Sequence, residues 1–500
     1  MAPSQRFSAL AVRLIKLCDG GARLHRCPQN TRAVDRRHLR RRGRSNNMRY
    51  KKTLTAAGTA ALTLTVLTGG GAAADVDTRA RTITGALTDG SDYLIEVPSD
   101  WNGTLLLYSH GYTSRPDNPA QDVSNEEVGK ALLADGYALA GSSFPGPGWQ
   151  TPAALGSQIA TIDQFAEQVG APRRVIAWGH SMGGEITTLL AERAGDRIDG
   201  AVAMCPDTAG VVPWFNSYLD GAFTMRALLD PDGTVPLVGA EDPAAAADYW
   251  AALARTAQQT SEGRARLALA ASFATLPPWS DLGTDEPGRH DYEAQQINQF
   301  HSFVSVFAGF QTLVRADMEA AAGGPFSWNI GVNYRELYAD LGSGPKAEVA
   351  ALYREAGLDL GDDLDALESA PRVAPSDPQA IDAMNAYAPT GELQVPLLTV
   401  HTTGDNLVFP NLEAAYADRV RANHEGALLR QTYTAAPGHC NFTTSEQIAA
   451  IETMDRRLSA GVWPSTSPAA MTERAAETGT DTSNYLHYRA SDMPRPELRP

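Results

Sequence analysis

The stretch VIAWGHSMGG at residues 175–184 decides the fold of this chain. An apolar run typical of a buried strand leads into the pattern Gly-x-Ser-x-Gly, and apolar residues at helical spacing follow from Ile186. A serine on such a sharp strand-to-helix turn projects its hydroxyl from the carboxyl edge of a sheet, and the tight packing leaves room only for small residues at 179 and 183. This context predicts that Ser181 is a nucleophile.

Strand-like and helix-like segments alternate on both sides of this stretch. Apolar residues spaced three and four apart predict helices such as 155–169. Thr443 and Glu446 form a capping box at the start of the last core helix. The alternation predicts a parallel sheet covered on both faces. The predicted strands are 82–87, 93–97, 105–108, 137–141, 175–178, 201–204, 396–400 and 428–433.

In this strand-and-helix context, Gly179-His180-Ser181-Met182-Gly183-Gly184 resembles the nucleophile elbow of lipases and esterases of the α/β-hydrolase family. The resemblance covers residues 80–205 and 394–460. It implies an α/β-hydrolase fold with a mostly parallel eight-stranded sheet and helices on both faces. It also implies that the catalytic acid and base follow the nucleophile along the chain.

The nucleophile needs a base and an acid. A serine hydroxyl is a weak nucleophile until a base takes its proton. The resemblance places the base after the last strand, where His439 stands. The base in turn needs a carboxylate that fixes its tautomer, and Asp405 stands after the preceding strand, as this family arranges it. Asp207 is the alternative acid, because it follows an earlier strand at which some relatives carry theirs.

Attack on a carbonyl carbon creates an oxyanion that needs hydrogen-bond donors already in place. One expected donor is the backbone N–H of Met182, at the start of the helix. His110-Gly111-Tyr112 resembles the family's His-Gly motif, so the backbone N–H of Tyr112 is the second expected donor. The His110 side chain is expected to shape this loop.

Four cysteines occur, and the first two lie in the leader described below. Cys205 ends a predicted strand and Cys440 adjoins His439, so both are expected at the same edge of the sheet. Because extracellular thiols tend to pair, a disulfide is predicted, with two buried unpaired thiols as the alternative. A cysteine beside the base also resembles the tannase and feruloyl esterase group, although His180 stands where that group has a cysteine.

The alternation breaks in the segment 206–393, which holds 19 of the 37 aromatic residues. The resemblance implies that this segment is a large helical lid, inserted between strands 6 and 7 and shaping the substrate pocket. The chain is thus predicted to have a hydrolase core in two parts, 75–205 and 394–460, which flank the lid. A polar tail follows at 461–500.

Residues 1–74 form a predicted leader. Met48, the basic residues after it, an apolar stretch and Ala72-Ala73-Ala74 give 48–74 the form of a secretory signal peptide, with cleavage after Ala74. Residues 1–47 are interpreted as the product of an overcalled start codon. The protein is therefore predicted to be secreted.

The composition argues against several partner classes. The leader holds 15 of the 42 Lys and Arg but only 2 of the 58 Asp and Glu, which leaves a net charge of −29 on the rest of the chain. A chain with this negative charge repels phosphate backbones, so nucleic-acid binding is not expected. No apolar run reaches the ~18 residues of a membrane span, and no stable membrane anchoring is expected. No metal-ligand spacing or nucleotide motif is evident, so we expect no metal, no cofactor and no obligate protein partner.

The expected function is hydrolysis of a small or medium apolar carboxylic ester by Ser181, His439 and Asp405. A serine peptidase, aminopeptidase or amidase of the same fold is the alternative; the aminopeptidase would need an acidic anchor for a substrate amine. Acyl transfer to an alcohol, or cofactor-free peroxidation, can use the same triad. A binding protein on a hydrolase fold is a further alternative, against which the complete set of three side chains argues.

Overall fold

One nine-stranded sheet organises the part of the chain that the structure describes. The structure is a computed structural model that describes residues 80–375 and 377–500. The predicted leader at 1–74, with its signal peptide at 48–74, lies outside these residues. The strands are β1 (Arg81–Ala86), β2 (Asp92–Val97), β3 (Thr104–Ser109), β4 (Ala138–Ser142), β5 (Arg174–His180), β6 (Gly200–Met204), β7 (Leu397–Gly404), β8 (Leu429–Pro437) and β9 (Tyr485–Leu486).

The strands lie in the order β1-β2-β4-β3-β5-β6-β7-β8-β9. The six strands from β4 to β8 in this order pair in parallel, whereas the pairings β1–β2, β2–β4 and β8–β9 are antiparallel. Every residue of β3, β4 and β6 is buried, as expected of parallel strands covered on both faces. The mostly parallel architecture is therefore as predicted.

The prediction of eight strands was wrong, because the tail contributes a ninth. β9 pairs with β8 through Leu486 opposite Tyr433 and Tyr485 opposite Thr434. A strand of two residues has no alternating pattern that could be recognised in the sequence. The buried Tyr485 hydroxyl also donates to the Glu446 carbonyl oxygen at 2.8 Å, which fixes the tail to the core.

Helices cover both faces of the sheet. Leu105 and Leu107 of β3 belong to one hydrophobic core, and Leu106 and Tyr108 belong to the core on the opposite face, as the two-residue period of a strand requires. No helix among the described residues is long and apolar enough to span a membrane. The helices are α1 (Glu126–Ala134), α2 (Thr151–Gln168), α3 (Met182–Arg193), α4 (Val211–Leu229), α5 (Pro243–Ala257), α6 (Ser261–Phe273), α7 (Tyr292–Ser302), α8 (Arg315–Ala322), α9 (Tyr334–Asp340), α10 (Ser343–Ala356), α11 (Leu360–Ser369), α12 (Pro378–Asn385), α13 (Leu412–Ala422), α14 (Thr444–Ala460) and α15 (Pro468–Glu477).

The segment between β6 and β7, which we call the insertion, contains helices α4 to α12. Two π-helical stretches, Phe303–Phe307 and Phe310–Val314, join α7 to α8 in one continuous helical segment. Part of the insertion packs around a hydrophobic core of its own, which includes Phe223, Phe273 and Tyr334. Because the insertion leaves β6 at the carboxyl edge of the sheet, its first helix begins beside the predicted nucleophile.

Candidate active site

Ser181 occupies the turn between β5 and α3, with φ of 58° and ψ of −125°. A positive φ is strained for a residue with a side chain and persists only where the surrounding structure holds it. The Ser181 N–H donates to the Met204 carbonyl oxygen at 2.9 Å, and the Ser181 carbonyl oxygen accepts from the Glu185 N–H at 3.0 Å. These two bonds fix the turn on both sides of the serine.

Packing requires the two glycines of the motif. A Cβ at Gly183 would lie 1.9 Å from the Ser109 carbonyl oxygen, and one at Gly179 would lie 2.5 Å from the Gly183 carbonyl oxygen. Both obstacles are backbone atoms, which cannot swing aside as the end of a side chain can. A larger residue at either position would therefore displace the turn that carries Ser181.

The His439 ring, in the loop after β8, joins Ser181 to Asp405. Its Nε2 lies 2.8 Å from Ser181 Oγ and its Nδ1 lies 2.7 Å from Asp405 Oδ2. The loop is held because Thr402 Oγ1 donates to the Gly438 carbonyl oxygen at 2.8 Å. The structure thus brings three of the predicted side chains together in one hydrogen-bonded chain.

Asp405 is fully buried directly after β7. Its Oδ1 accepts the backbone N–H groups of Leu407 and Val408 at 3.0 and 2.9 Å, which leaves Oδ2 facing His439. Burial alone would raise the pKa of Asp405. The attraction of His439, together with hydrogen bonds from His401 and His439, outweighs burial and lowers this pKa below its usual value.

A second histidine, His401, lies behind Asp405. Its Nε2 is 2.8 Å from the Val408 carbonyl oxygen and 3.4 Å from Asp405 Oδ2, and its Nδ1 is 3.2 Å from Glu413 Oε1. Carbonyls and ionised carboxylates only accept hydrogen bonds, so the ring beside them donates from both nitrogens as an imidazolium. Burial opposes this charge, but the hydrogen bonds to Asp405 and Glu413 outweigh it and raise the pKa of His401 to about 10.

Asp207, the alternative acid, does not take the acceptor position beside the base. The Nδ1 atom of His439 faces Asp405, whereas Asp207 Oδ1 accepts the Gly210 N–H at 3.1 Å. The Asp207 side chain instead lies in the wall of the pocket at Ser181. The geometry therefore favours Asp405 as the partner of His439.

The two expected oxyanion donors lie beside the nucleophile. Met182 is the first residue of α3, so its N–H has no acceptor within the helix and lies at the positive end of the helix dipole. Tyr112 follows Gly111, at which a Cβ would lie 3.4 Å from Ser181 Cβ. Both Met182 and Tyr112 line the pocket that contains Ser181. The buried His110 ring has its nitrogens within 3.1 Å of two backbone carbonyl oxygens, as a loop-shaping residue would.

Cys205 and Cys440 form a disulfide, with their Cα atoms 5.5 Å apart. Cys205 follows β6 and Cys440 follows His439, so the bond ties the histidine loop to the strand beside the nucleophile. The predicted pairing is present. The sulfur atoms and the His439 ring are close enough together to hold a metal ion, but sulfurs joined in a disulfide cannot serve as thiolate ligands.

A narrow pocket opens at Ser181, and one of its walls comes from the insertion. Asp317 of α8 accepts the backbone N–H of Trp149 at 3.1 Å, which attaches the insertion to the core beside the pocket. Two acidic residues, Glu185 and Asp207, interrupt an otherwise largely apolar lining. The remaining lining residues are Tyr112, Trp149, Met182, Trp214, Phe310, Val314, Met318, Leu407 and Val408.

Several residues of this site were not assigned to it from the sequence. His401 stands four residues before Asp405, and Glu185 stands four residues after Ser181, so each is close in sequence to a predicted catalytic residue. These spacings are the only available signals. Trp149 has no such signal, because its place in the pocket depends on how the loop before α2 folds.

Comparisons with known proteins extend these observations. A family model described as "alpha/beta hydrolase fold" matches residues 104–444. An o-phthalyl amidase of Xanthobacter agilis is 33% identical over 431 residues, covering 79% of this chain and 92% of the amidase.

Two solved structures give weaker similarities. An esterase from Aspergillus oryzae is 13% identical, with a TM-score of 0.36, and the match covers 83% of this chain and 88% of the esterase. An acylaminoacyl peptidase of Pyrococcus horikoshii is 10% identical, with a TM-score of 0.35, over 76% of this chain. This chain spans only 40% of that peptidase.

Proposed function

This chain belongs to the alpha/beta hydrolase fold family, and we propose that it is a serine hydrolase that cleaves carboxylic esters through an acyl-enzyme on Ser181. One observation carries the proposal: the hydrogen-bonded chain from Ser181 Oγ through His439 to the buried Asp405, with distances of 2.8 and 2.7 Å. A buried carboxylate that fixes the tautomer of a ring bonded to a serine is the arrangement that activates a hydroxyl for acyl transfer.

In the proposed reaction, His439 Nε2 takes the proton of Ser181 as Oγ attacks the carbonyl carbon of the substrate. The N–H groups of Met182 and Tyr112 stabilise the oxyanion. His439 then donates its proton to the leaving alcohol, and an acyl-enzyme remains. Water, deprotonated by His439, attacks this ester and releases the acid, which restores the serine hydroxyl.

Amide hydrolysis is the second candidate, and the o-phthalyl amidase at 33% identity favours it. The same three side chains serve, since His439 Nε2 can protonate a leaving nitrogen as well as a leaving oxygen. The amine is the poorer leaving group, so protonation by His439 matters more for an amide than for an ester. Esters and amides with the same acyl group therefore separate the two candidates.

Two further proposals concern the setting of the reaction. The insertion acts as a lid, supported by the pocket wall that Trp214, Phe310, Val314 and Met318 contribute beside Ser181. The protein is secreted after cleavage behind Ala74, which the form of 48–74 and the disulfide support, because disulfides persist in oxidising compartments.

The test begins with a fluorophosphonate probe, which labels an activated serine. We expect it to label the wild type, to fail on Ser181→Ala and to label Ser272→Ala normally, because Ser272 is a buried helical serine that bonds to the Ala268 carbonyl oxygen. Nitrophenyl butyrate and butyryl nitroanilide then compare an ester with an amide. Ser181→Ala and His439→Ala should each lower kcat by about 10⁴ or more. An unlabelled, inactive wild type would favour a binding protein on this fold.

A further inference from the structure

The pocket at Ser181 contains two buried carboxyl groups that the proposed reaction does not use. Glu185 of α3 is 2% exposed and Asp207, after β6, is 3% exposed. Both line the pocket together with Ser181. Buried carboxyl groups are costly unless they are paired, so their partners must be accounted for.

Each carboxyl group has one oxygen that bonds to the protein and one that does not. Glu185 Oε2 accepts from Thr151 Oγ1 at 2.8 Å, and Asp207 Oδ1 accepts from the Gly210 N–H at 3.1 Å. Glu185 Oε1 and Asp207 Oδ2 are buried and have no hydrogen-bond partner. The Trp149 indole N–H lies near Glu185 and favours its ionised form, but it forms no well-aligned hydrogen bond.

In the described part of the chain, neither carboxyl group is paired with a basic side chain. Within residues 80–375 and 377–500, no Lys or Arg nitrogen forms a salt bridge with either carboxyl group. The nearest arginines bond elsewhere: Arg193 donates to the Ala386 carbonyl oxygen, and Arg419 donates to the carbonyl oxygens of Ala209 and Pro389. Neither acid therefore has a salt-bridge partner among the described residues; the charges of Arg419 and Arg193 only partly offset the effect of burial on the pKa of Asp207 and of Glu185.

Both acids have a raised pKa because they are buried without a salt-bridge partner. Burial raises the pKa of Asp207 to about 7, and burial together with the Asp207 charge raises the pKa of Glu185 well above its usual value. A cation brought into the pocket would stabilise both carboxylates. The aromatic rings of Trp149 and Trp214 in the same lining would also favour a cation, because the ring faces attract positive charge.

We propose that Glu185 and Asp207 bind the ammonium group of an aminoacyl substrate, so that the preferred esters or amides carry a free amine near the scissile carbonyl. This inference rests on the proposed serine-hydrolase function and names its substrate class. An ammonium group carries three N–H donors and a positive charge, which are what an unpartnered carboxylate oxygen lacks. A substrate carboxylate would instead bring a third acidic group to the same place.

The position of Glu185 limits how far the amine lies from the reacting carbon. The Glu185 N–H donates to the Ser181 carbonyl oxygen, so the two residues are one helical turn apart. Ser181 is the residue before α3 and Glu185 lies in its first turn, and both line the same narrow pocket. An amine on the α or β carbon of the acyl group would stay close to both residues, whereas an amine at the end of a long chain would not.

The experiment compares two acyl groups of the same shape. The benzyl ester of alanine differs from that of isobutyric acid only in an ammonium group in place of a methyl group, and the benzyl monoester of methylmalonic acid carries a carboxylate there. Release of benzyl alcohol gives kcat/KM for each, and the corresponding anilides test amide cleavage. We expect the wild type to prefer the alanine derivative over the isobutyrate derivative by about 10- to 100-fold, as for a hydrogen bond between charged groups.

Two variants and a matched control assign this preference to the acids. Glu185→Gln and Asp207→Asn should each lower the ratio of the two kcat/KM values by about 10-fold or more, to the ratio that the ammonium group gives by activating the ester carbonyl. Glu348→Gln is the control, because Glu348 is equally buried at 2% exposure and has an unpartnered Oε1, but it lies outside the pocket lining. Its ratio should remain that of the wild type. If one pocket variant fails to fold, the wild-type ratio and the ratio of the other variant still test whether the acids bind the amine.

The outcomes separate this inference from the proposed function. An isobutyrate or methylmalonate derivative cleaved as fast as the alanine derivative overturns amine binding and leaves the serine hydrolase standing. A wild-type ratio that is unchanged in both pocket variants overturns the assignment to these acids. If fluorophosphonate labels Ser181 but none of the compounds is cleaved, the proposed class of aminoacyl substrates is overturned. No cleavage together with no labelling contradicts the proposed function itself.

Discussion

Replacing Asp405 by asparagine tests the proposed triad most directly, because the structure fixes how the new amide must sit. Two backbone N–H groups, of Leu407 and Val408, point at Oδ1 from 3.0 and 2.9 Å. The amide oxygen must take this place, since the NH₂ group there would lose two hydrogen bonds of about 1 kcal/mol each. The NH₂ group then occupies the position of Oδ2, 2.7 Å from His439 Nδ1.

The consequence is a change of tautomer in His439. An NH₂ group donates, so Nδ1 must accept, and the single ring proton moves to Nε2. That nitrogen lies 2.8 Å from Ser181 Oγ and should accept the serine proton. With Nε2 already protonated, the ring cannot act as the base. A triad with this defect loses about 10⁴ in kcat while its geometry stays intact.

The assay is kcat for a nitrophenyl ester, with the rate of fluorophosphonate labelling as a second readout. Thermal unfolding of the same samples shows whether Asp405→Asn still folds. Asp207→Asn is the comparison, because it makes the same chemical change in the buried aspartate of the pocket wall. We expect it to cost much less in kcat. An Asp405→Asn enzyme within tenfold of wild type, or a larger loss in Asp207→Asn, would refute the assignment of the acid.

Three further predictions concern stability and pH. Cys205→Ala opens a loop with a sequence separation of 235 residues and should lower the free energy of unfolding by about 2–5 kcal/mol. Denaturant titration of wild type and variant without reductant measures this difference. Equal free energies of unfolding would show that the disulfide does not stabilise the protein. Gly183→Ala places a Cβ 1.9 Å from the Ser109 carbonyl oxygen and should lower stability by about 1–3 kcal/mol or more, with slower fluorophosphonate labelling. The control Gly156→Ala changes an exposed glycine inside α2 with nothing within 4 Å of the new carbon, so it should raise stability by about 0.5–1 kcal/mol and leave labelling unchanged. Burial lowers the pKa of His401, but hydrogen bonds to two carboxylates outweigh it and raise this pKa from 6.5 to about 10. The stabilisation by charged His401 is therefore complete below pH 6.5 and is lost as the pH rises to about 10. The difference in unfolding free energy between wild type and His401→Asn should shrink over this range, and a constant difference would contradict a charged His401.

The residues of the proposed triad could be predicted because each has a local signal at the end of a strand. Ser181 stands in a glycine turn, Asp405 follows β7, and His439 follows β8. In a sheet of parallel strands, the carboxyl ends meet at one edge, so residues far apart in sequence converge there. Cys205 and Cys440 could be paired on the same ground. The sequence therefore contained both the chemistry and the geometric reason for its assembly.

The residues around the proposed triad could not be predicted. They meet through contacts between helices and strands that are distant in sequence, and no sequence pattern marks those contacts. His401 and Glu413 meet only because α13 packs against β7, and a histidine inside a strand gives no sign of such a partner. Asp207 was considered as an acid for the base, and its place in the pocket wall became visible only with the insertion folded. The two-residue strand β9 was missed because pairing, not periodicity, defines it.

The position of the insertion links the predicted and the unpredicted parts of the site. The chain leaves β6 at the edge where Ser181 lies, passes Asp207, and enters α4, whose Trp214 donates to the Leu407 carbonyl oxygen at 2.8 Å. Leu407 in turn donates its N–H to Asp405. A change in the insertion at 214 can therefore reach Asp405 through a single residue. The same segment lines the pocket and supports the loop that holds Asp405, so in the proposed mechanism substrate selection and activation of the nucleophile depend on one set of contacts.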